Sequence, residues 1–537
     1  MGVAVERLFR ARELGETVTI FGDYDVDGVT SVALLVEFLG ALGWKVCYYL
    51  PHRLEEGYGL SRDAVENCLR KSPTQVLLAV DCGSTTVDCI SWLQKSGIDV
   101  IVLDHHQVSD PAPPALALVN PQLLVCRPKV QPAVRETALS PADQPESAGR
   151  RNGNGPDAAA SGPLPFTGFC SVGLAFKLAH AIVKRGREMG LPEAAEFDIR
   201  PLLDLVALGT IADLVPLTGE NRILVTTGLE RLSQTSRPGL VALKQIAQCP
   251  CPVGSYEVGF QLGPRLNAAG RLETAEEALD LLLARDLATA IPLARRLDER
   301  NRERQKIERG IAEQALGQVR AKFNPEEDFV IVEGDAPWHV GVAGIVAARM
   351  VQQFYRPAII VGGESDEWRG SGRSIAGFDL AAALRECDDL LVRHGGHALA
   401  AGLTIQRRNL EAFRIRLNQL ARGALAREHL QPPLRLDAEV GLEEVTMDAL
   451  LCLAKLKPTG NGNPAVQFFA RNLSHQRPLQ RMGADKQHVK LWITDGTTSH
   501  EAVWWSAGNE SLPVGHFDLA FAPQINEYNG RKFVQLK

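Results

Sequence analysis

The stretch TVTIFGDYDVDGVTS, residues 17–31, decides the reading of the chain, because a β-branched and aromatic run leads into aspartates at alternate positions: Asp23, Asp25 and Asp27. Residues 17–21 suit a buried parallel strand, and after Gly28 the apolar residues Val29, Val32, Ala33, Leu35, Val36 and Leu39 recur at near-helical spacing. The acids therefore fall at the C-terminal end of a strand, the edge where open α/β sheets bind ligands. Three carboxylates crowded there repel one another unless cations neutralise them, which makes a divalent metal ion the candidate. The competing reading is an acidic turn capping the next helix, and it suits one aspartate better than three.

The same pattern recurs downstream. A second strand is expected at 45–50, ending at Pro51, and HRLEEGYGLS follows, with Gly57 and Gly59 flanking Tyr58 in a loop and Ser61 placed to cap a helix. A third strand, 76–80, delivers Asp81 with Cys82 and Gly83 behind it; a fourth, 99–103, delivers Asp104, His105 and His106. Strands alternating with helices predict a doubly wound parallel sheet, whose strand ends share one edge and gather distant residues into one cleft. Neutral imidazole binds borderline metals such as Mn²⁺ and carboxylates suit Mn²⁺ or Mg²⁺, so one histidine can ligate while its neighbour contacts substrate.

The whole chain, 537 residues with 45% hydrophobic and 23% charged, is long enough for three or four domains with substantial cores. A net charge of −6 gives no global sign of nucleic-acid binding, so any basic surface has to be local. The 10 cysteines are scattered, and the pair Cys249 and Cys251 lacks a second pair at zinc-ligand spacing; reduced thiols in a cytoplasmic protein are expected. Residues 1–16 carry charges throughout without an apolar core, so neither a signal peptide nor a membrane partner is expected.

GDYDVDG, VDCGS and LDHH, in this order and with EGYGLS between the first two, closely resemble motifs of the DHH phosphoesterase superfamily. The later chain narrows the resemblance to the RecJ single-strand DNA exonucleases. GTIADLVPL, with Asp213, resembles the next RecJ motif, and by that resemblance Asp213 completes the metal site. FQLGPRLNAAGRL resembles a segment near the nucleic-acid path, with Arg265, Asn267 and Arg271 as candidate phosphate contacts; arginines on a solvated helix face are the plain alternative. Residues 274–323, poor in breakers, read as a long amphipathic helix, interrupted near Asp286 or Pro292, that could connect two lobes.

In RGSGRSIAGFDL, residues 369–380, glycines let backbone approach a phosphate while Arg369, Ser371, Arg373 and Ser374 supply charge and hydroxyls. RHGGHALAAGL, residues 393–403, places His397 beside Gly395 and Gly396. Both segments resemble the DHHA1 domain of the superfamily. After a helix to about residue 427, short alternating strands with turn signals suggest a small barrel, and RecJ proteins carry an OB-type module there. KPTGNGNPAVQFF is a further RecJ-like signature, and Trp492, Trp504, Trp505 and Tyr528 are candidate stacking residues, although aromatics in a small barrel are more often core.

The resulting expectation is an α/β chain: a DHH catalytic lobe at 1–270, a connecting helix at 271–324, a smaller α/β DHHA1 lobe at 325–427 and an OB-type nucleic-acid-binding module at 428–537. The Pro-, Ala-, Ser- and Gly-rich segment 123–163 is expected to be a flexible surface insertion without a catalytic role. The resemblance implies a metal-dependent 5′ to 3′ exonuclease on single-stranded DNA that releases mononucleotides in repair and recombination. It also implies a monomer whose partners include a helicase and a single-strand-binding protein. Phosphodiester hydrolysis needs an activated water and charge neutralisation on the phosphoryl group, which two Mn²⁺ or Mg²⁺ ions bridged by a carboxylate supply. Asp25, Asp27, Asp81, His105 and Asp213 are expected as direct ligands, Asp81 bridging; Asp23 is a ligand or an orienting group, and Asp104 orients the histidines. His106, Arg373 and His397 are expected to hold the phosphate.

Three alternatives compete. A DHH phosphodiesterase of short oligonucleotides or cyclic dinucleotides would use the same two lobes without needing the barrel. A family II pyrophosphatase is shorter and has a different second lobe, and a non-catalytic replisome relative would have lost ligand types that are all present here. Two departures from the RecJ pattern stand out: the chain starts only a short helix before its first strand, which leaves an upstream start open, and FCSVGLAFKL replaces a glycine-richer turn. The second is expected to touch no proposed ligand.

Overall fold

The structure is a computed structural model that describes residues 1–53, 55–57, 59–125, 166–507 and 510–537, without the side chains of Leu124, Val125 and Tyr528. Tyr58 and residues 126–163 of the expected insertion lie outside the described residues; at its start the chain is ordered, Gln122–Val125 forming one helical turn.

Five strands, β1 (Thr17–Phe21), β2 (Lys45–Tyr49), β3 (Val76–Val80), β4 (Asp99–Leu103) and β5 (Ala117–Val119), form an all-parallel sheet in the order β2-β1-β3-β4-β5. Alternate residues serve two cores, as the two-residue period of a strand requires. Val76, Leu78 and Val80 face one core with Ile101 and Leu103, whereas Leu77 and Ala79 face the other with Val100 and Val102. Helices α1 (Gly2–Leu14) and α2 (Val26–Ala41) cover the first face, and α3 (Arg62–Lys71) and α4 (Val87–Lys95) cover the second. The sheet is therefore doubly wound. Strand order reverses between β1 and β3, and the crevice at that switch point is where the aspartates lie.

α2 is buried almost all round, from Val26 to Leu35, because it is sandwiched between the sheet and two further helices, Ser171–Glu188 and Leu203–Ala212. Gly209 marks the closest crossing: a Cβ there would stand 2.4 Å from Thr30 Oγ1 and 2.7 Å from Val172 Cγ1.

The long helix expected over residues 274–323 is interrupted at Asp286, one of the two places expected. Gly263–Leu272 and Glu276–Leu283 pack on the first lobe, and the connecting helix proper is Leu287–Lys322, capped by Asp286, whose Oδ1 accepts from Thr289 N at 2.8 Å. Pro292 lies inside its second turn, where only one backbone bond is forgone.

In the second lobe β6 (Ile331–Asp335), β7 (Ala358–Gly362), β8 (Glu367–Arg373), β9 (Leu391–His397) and β10 (Ala400–Gln406) form a mixed sheet, order β6-β7-β8-β10-β9. Helix Ala343–Phe354 and the end of the connecting helix cover one face; Leu380–Arg385 and Leu410–Ala424 cover the other.

The C-terminal region is a strand module of β11 (Ala438–Glu439), β12 (Phe468–His475), β13 (Gln480–Met482), β14 (His488–Thr494), β15 (Ser499–Trp504), β16 (Phe517–Phe521), β17 (Pro523–Tyr528) and β18 (Arg531–Leu536). Its core is Leu473, Leu491, Ile493, Ala502, Phe521 and Leu536. Trp504 and Trp505 are not part of it, being 43% and 47% exposed, which corrects the core expectation for these two; the Arg477 guanidinium lies 3.7 Å over the Trp492 ring.

Gly209→Ala is expected to lower stability by about 1–3 kcal/mol through overpacking. Gly310→Ala, on the exposed side of the connecting helix where a Cβ meets nothing within 4 Å, should add roughly 0.5–1 kcal/mol. Denaturant unfolding of the two variants checks the contrast.

Candidate active site

The first acidic corner is built by a turn that only small residues permit. The chain leaves β1, turns at Gly22 and Asp23, and enters α2 with Asp25 as its N-cap, Oδ1 accepting from Gly28 N at 3.0 Å. Gly28 lies against the backbone of Asp23: a Cβ would stand 2.6 Å from the Asp23 carbonyl oxygen. Asp27, one position into α2, is buried and accepts from Ser171 N at 2.7 Å and Val172 N at 2.9 Å, the first amides of helix Ser171–Glu188. This helix N-terminus suits an anion. Ser171 Oγ also donates to Asp81 Oδ1 at 2.9 Å. The FCSVG segment, expected to touch no proposed ligand, therefore holds the carboxylates of two of them, Asp27 and Asp81.

Asp81 follows β3 at φ 63, a left-handed conformation that aspartate tolerates better than most residues, and is buried. Asp104, after β4, accepts from Ser84 N (3.1 Å), His105 N (2.8 Å), His106 N (3.1 Å) and His106 Nδ1 (2.7 Å). Burial opposes its ionisation, but the His106 and Ser84 donors outweigh it and hold the carboxyl well below the usual range. Asn120 Nδ2 braces the same turn through Ser84 Oγ and the His106 carbonyl, both at 2.8 Å.

His105 Nε2 points into the acids, 3.4 Å from Asp81 Oδ1, 3.5 Å from Asp213 Oδ2 and 3.9 Å from Asp27 Oδ2. Three sets of ligand atoms converge within 4.8 Å: Asp23, Asp25 and Asp81; Asp81, His105 and His106; Asp27, His105 and Asp213. Asp81 and His105 each belong to two sets.

The electrostatics follow from crowding without water. Burial and then Asp25 push the Asp23 carboxyl well up and Asp27 up to about 6. Burial and then Asp27 raise Asp81 well above the usual range and Asp213 to about 9. Burial and the neighbouring His106 bring His105 down to about 4, leaving a neutral imidazole. Asp23 Oδ1, His105 Nε2 and Asp213 Oδ2 are buried without a hydrogen-bond partner. Orphaned acceptors in a converging oxygen-and-imidazole set fit Mn²⁺ or Mg²⁺.

Cationic groups from both lobes gather at the interlobe cleft beside the acids. The His106 and His397 rings lie nearly parallel, 8° apart, with centroids 6.1 Å apart. Beside them a cavity of about 370 Å³ is lined by Tyr24 and Arg53 of the first lobe and by Arg369, Ser371, Arg393 and Gly395 of the second. RGSGR forms β8, and Arg373 Nη1 donates to Ser371 Oγ at 2.9 Å and to the Gly372 carbonyl at 2.8 Å. Arg271 Nη1 donates to the Gly341 carbonyl at 3.2 Å across the lobes; burial, then Arg53, Arg304 and Arg373, lower its pKa to about 10. Gly396 at φ 136 lets the His397 hairpin close, since a Cβ would stand 2.5 Å from the Ala400 carbonyl oxygen.

Other expected contacts are occupied inside the fold. Asn267 Oδ1 accepts from Val26 N at 3.2 Å and so supports the acidic turn, Arg265 is ion-paired with Asp298 of the connecting helix at 3.0 Å, and Ser374 Oγ donates to the Phe378 carbonyl at 2.8 Å. Sequence reasoning missed Arg53, Arg393, Ser171 and Asn120. Arg53 was accessible to the strand-end rule, lying just past β2; Ser171 gave no signal.

Asp81→Asn keeps the shape and the left-handed backbone while replacing a carboxyl that burial and Asp27 make costly to ionise. Its metal-free form is expected to unfold at higher temperature, with a gain in stability of roughly 1–4 kcal/mol, the scale of like charges ~4 Å apart. The thermal shift produced by Mn²⁺ should shrink; differential scanning calorimetry with and without the ion measures both.

A two-lobed α/β architecture with an acidic, histidine-bearing switch point and a glycine- and arginine-rich second sheet is the arrangement expected of paired DHH and DHHA1 domains. The family models agree: residues 17–210 match the DHH family N-terminal domain, 327–423 the DHHA1 domain and 436–537 the RecJ OB domain. Single-stranded-DNA-specific exonuclease RecJ of Bacillus subtilis is 34% identical over 100% of this chain and 62% of the relative; that of Haemophilus influenzae is 33% identical over 99% and 89%. The chain thus spans less than two thirds of the Bacillus relative. The crystal structure of RecJ in complex with Mn²⁺ from Thermus thermophilus superposes with a TM-score of 0.77 at 30% identity, covering 99% of this chain and 70% of that one. The chain belongs to the RecJ family.

Proposed function

We propose that the chain is a metal-dependent exonuclease that hydrolyses single-stranded DNA 5′ to 3′ and releases mononucleotides. The observation that carries this reading is the overlap of three ligand sets at Asp81 and His105, next to an arginine-lined cleft whose wall includes Tyr24, the residue between Asp23 and Asp25. Asp23, Asp25, Asp27, Asp81, His105 and Asp213 would hold Mn²⁺ or Mg²⁺, two ions being accommodated through the residues the sets share. Bound there, the ions lower the pKa of the attacking water and neutralise charge on the phosphoryl group.

The chain's own residues do the rest. Asp104 accepts a hydrogen bond from His106 Nδ1–H, and although burial works against the charged ring this bond raises its pKa, so the other ring nitrogen can donate to a phosphate oxygen. Arg373, fixed by Ser371, and His397 approach the same phosphate from the second lobe. Arg53, Arg271, Arg369 and Arg393 hold the strand's backbone in the cleft, and the exposed Trp504 and Trp505 offer stacking faces on the C-terminal module. Those faces favour a strand over a short oligonucleotide or cyclic dinucleotide. Among the described residues no helix is long and apolar enough to cross a membrane. We place the protein in the cytoplasm, in DNA repair and recombination, with a helicase and a single-strand-binding protein as partners.

With end-labelled single strands and Mn²⁺, mononucleotides should be released from the 5′ end, chelator should stop release, and Mn²⁺ should restore it. Asp25→Ala should reduce the rate by at least about 10³-fold with the fold intact, as the loss of several kcal/mol of charge stabilisation implies. Binding of single strands without nucleotide release in Mn²⁺ would overturn the reading.

A further inference from the structure

The KPTGNGNP signature of the C-terminal module docks on the loop that follows Asp213. Asp213 ends helix Leu203–Ala212, with its N–H bonded to the Gly209 carbonyl at 2.9 Å. The next residue, Leu214, is left-handed at φ 62 with a side chain 69% exposed, so neither glycine flexibility nor side-chain burial secures that backbone. Within its own lobe Leu214 N donates to the Ile211 carbonyl at 3.3 Å and Asn221 Nδ2 to the Pro216 carbonyl at 3.0 Å, and Asn461 adds the tie from outside: Nδ2 donates to the Leu214 carbonyl at 2.6 Å, and the Asn461 carbonyl accepts from Leu217 N at 2.7 Å.

The signature is shaped for this contact. Asn463 Nδ2 donates to the Leu456 and Pro458 carbonyls at 2.9 and 2.8 Å, and Gly460 and Asn463 exchange backbone bonds of 2.8 and 3.1 Å, closing the turn that presents Asn461. Gly460 and Gly462 lie flat on the loop: Cβ atoms there would stand 2.7 Å from Leu217 Cδ1 and 2.9 Å from Pro216 Cβ. A separate tie, Arg222 Nη2 to the Lys455 carbonyl at 2.9 Å, joins the same two regions without touching residues 213–217.

We propose that Asn461 is a positioning residue for the metal centre, fixing the Asp213–Leu217 loop so that the orphaned Asp213 Oδ2 stays 3.5 Å from His105 Nε2. The C-terminal module thereby completes the catalytic site in addition to any contact with DNA. This rests on the reading of Asp213 as a ligand. Outer partners that orient metal ligands are typically worth about 10–100-fold in metal affinity.

The test uses the full chain with Asn461→Ala, Asn461→Asp, Arg222→Ala and Asp213→Asn. The readouts are Mn²⁺ binding by electron paramagnetic resonance, KM for a single strand, and thermal unfolding. Asn461→Ala and Asn461→Asp should each weaken Mn²⁺ binding about 10-fold while KM and the metal-free unfolding temperature stay near wild type; Arg222→Ala should bind Mn²⁺ normally. Normal Mn²⁺ affinity in both Asn461 variants, an equal loss in Arg222→Ala, or unfolding of both Asn461 variants would each overturn the proposal. If Asp213→Asn binds Mn²⁺ normally, the ligand reading falls; if it is weakened while the Asn461 variants are not, only the positioning inference falls.

Discussion

Mutual repulsion among buried carboxylates is the constraint on which the rest of the molecule depends. Asp23, Asp27 and Asp81 are buried, and Asp213 comes within 3.5 Å of His105 Nε2, the nitrogen that Asp27 and Asp81 also approach. Out of water, like charges at such spacing are strongly unfavourable, and nothing in the hydrophobic cores requires them. The fold answers by donating where it can, through the Ser171 and Val172 amides to Asp27 and the Ser171 hydroxyl to Asp81. It leaves Asp23 Oδ1, Asp213 Oδ2 and His105 Nε2 unmatched. Asp104 shows the contrast: with four donors on one carboxylate it is satisfied, ionised and available only to orient its neighbours. The number of donors, not the residue type, separates the groups open to a cation from the group that positions them.

The cleft carries the complementary problem. Burial and then Arg53 draw down the pKa of both Arg271, from the first lobe, and Arg373, from the second. A cleft with excess anions on one wall and excess cations on the other is satisfied by a divalent ion and a phosphate together better than by either alone. The stacked approach of His106 and His397 marks where the two walls meet. Charge is thus distributed so that a chain of net charge −6 still presents a locally cationic cleft.

The parts legible in the sequence were those governed by local rules. β3 and β4 read correctly to the residue because strands buried on both faces are uninterrupted apolar runs, and a ligand-type residue directly after each could only lie at the shared edge. Arg265 and Asn267 were harder, since a helix face towards solvent and one towards another helix look alike when the partner, Asp298 or the Val26 amide, is distant in sequence. Ser171 was invisible for the same reason, being an ordinary first residue of a helix whose axis happens to aim at Asp27 and Asp81. Trp504 and Trp505 defeated the general rule that aromatics fill small barrels because only the register with β14 and the turn after β15 decides which way they face.

The same distinction explains why the site is drawn from so many separated segments. A parallel sheet places every strand end on one edge, so residues after β1, β3 and β4 meet without any connection between them having to be strained. Asp213 has no strand to deliver it; it comes from the end of a helix, and the residue after it takes a left-handed backbone. Strand-borne side chains inherit their precision from the sheet ladder, whereas a helix-end side chain has only its own turn and whatever packs on it. External support is therefore needed most at Asp213, and it is there that a loop more than two hundred residues downstream makes its hydrogen bonds.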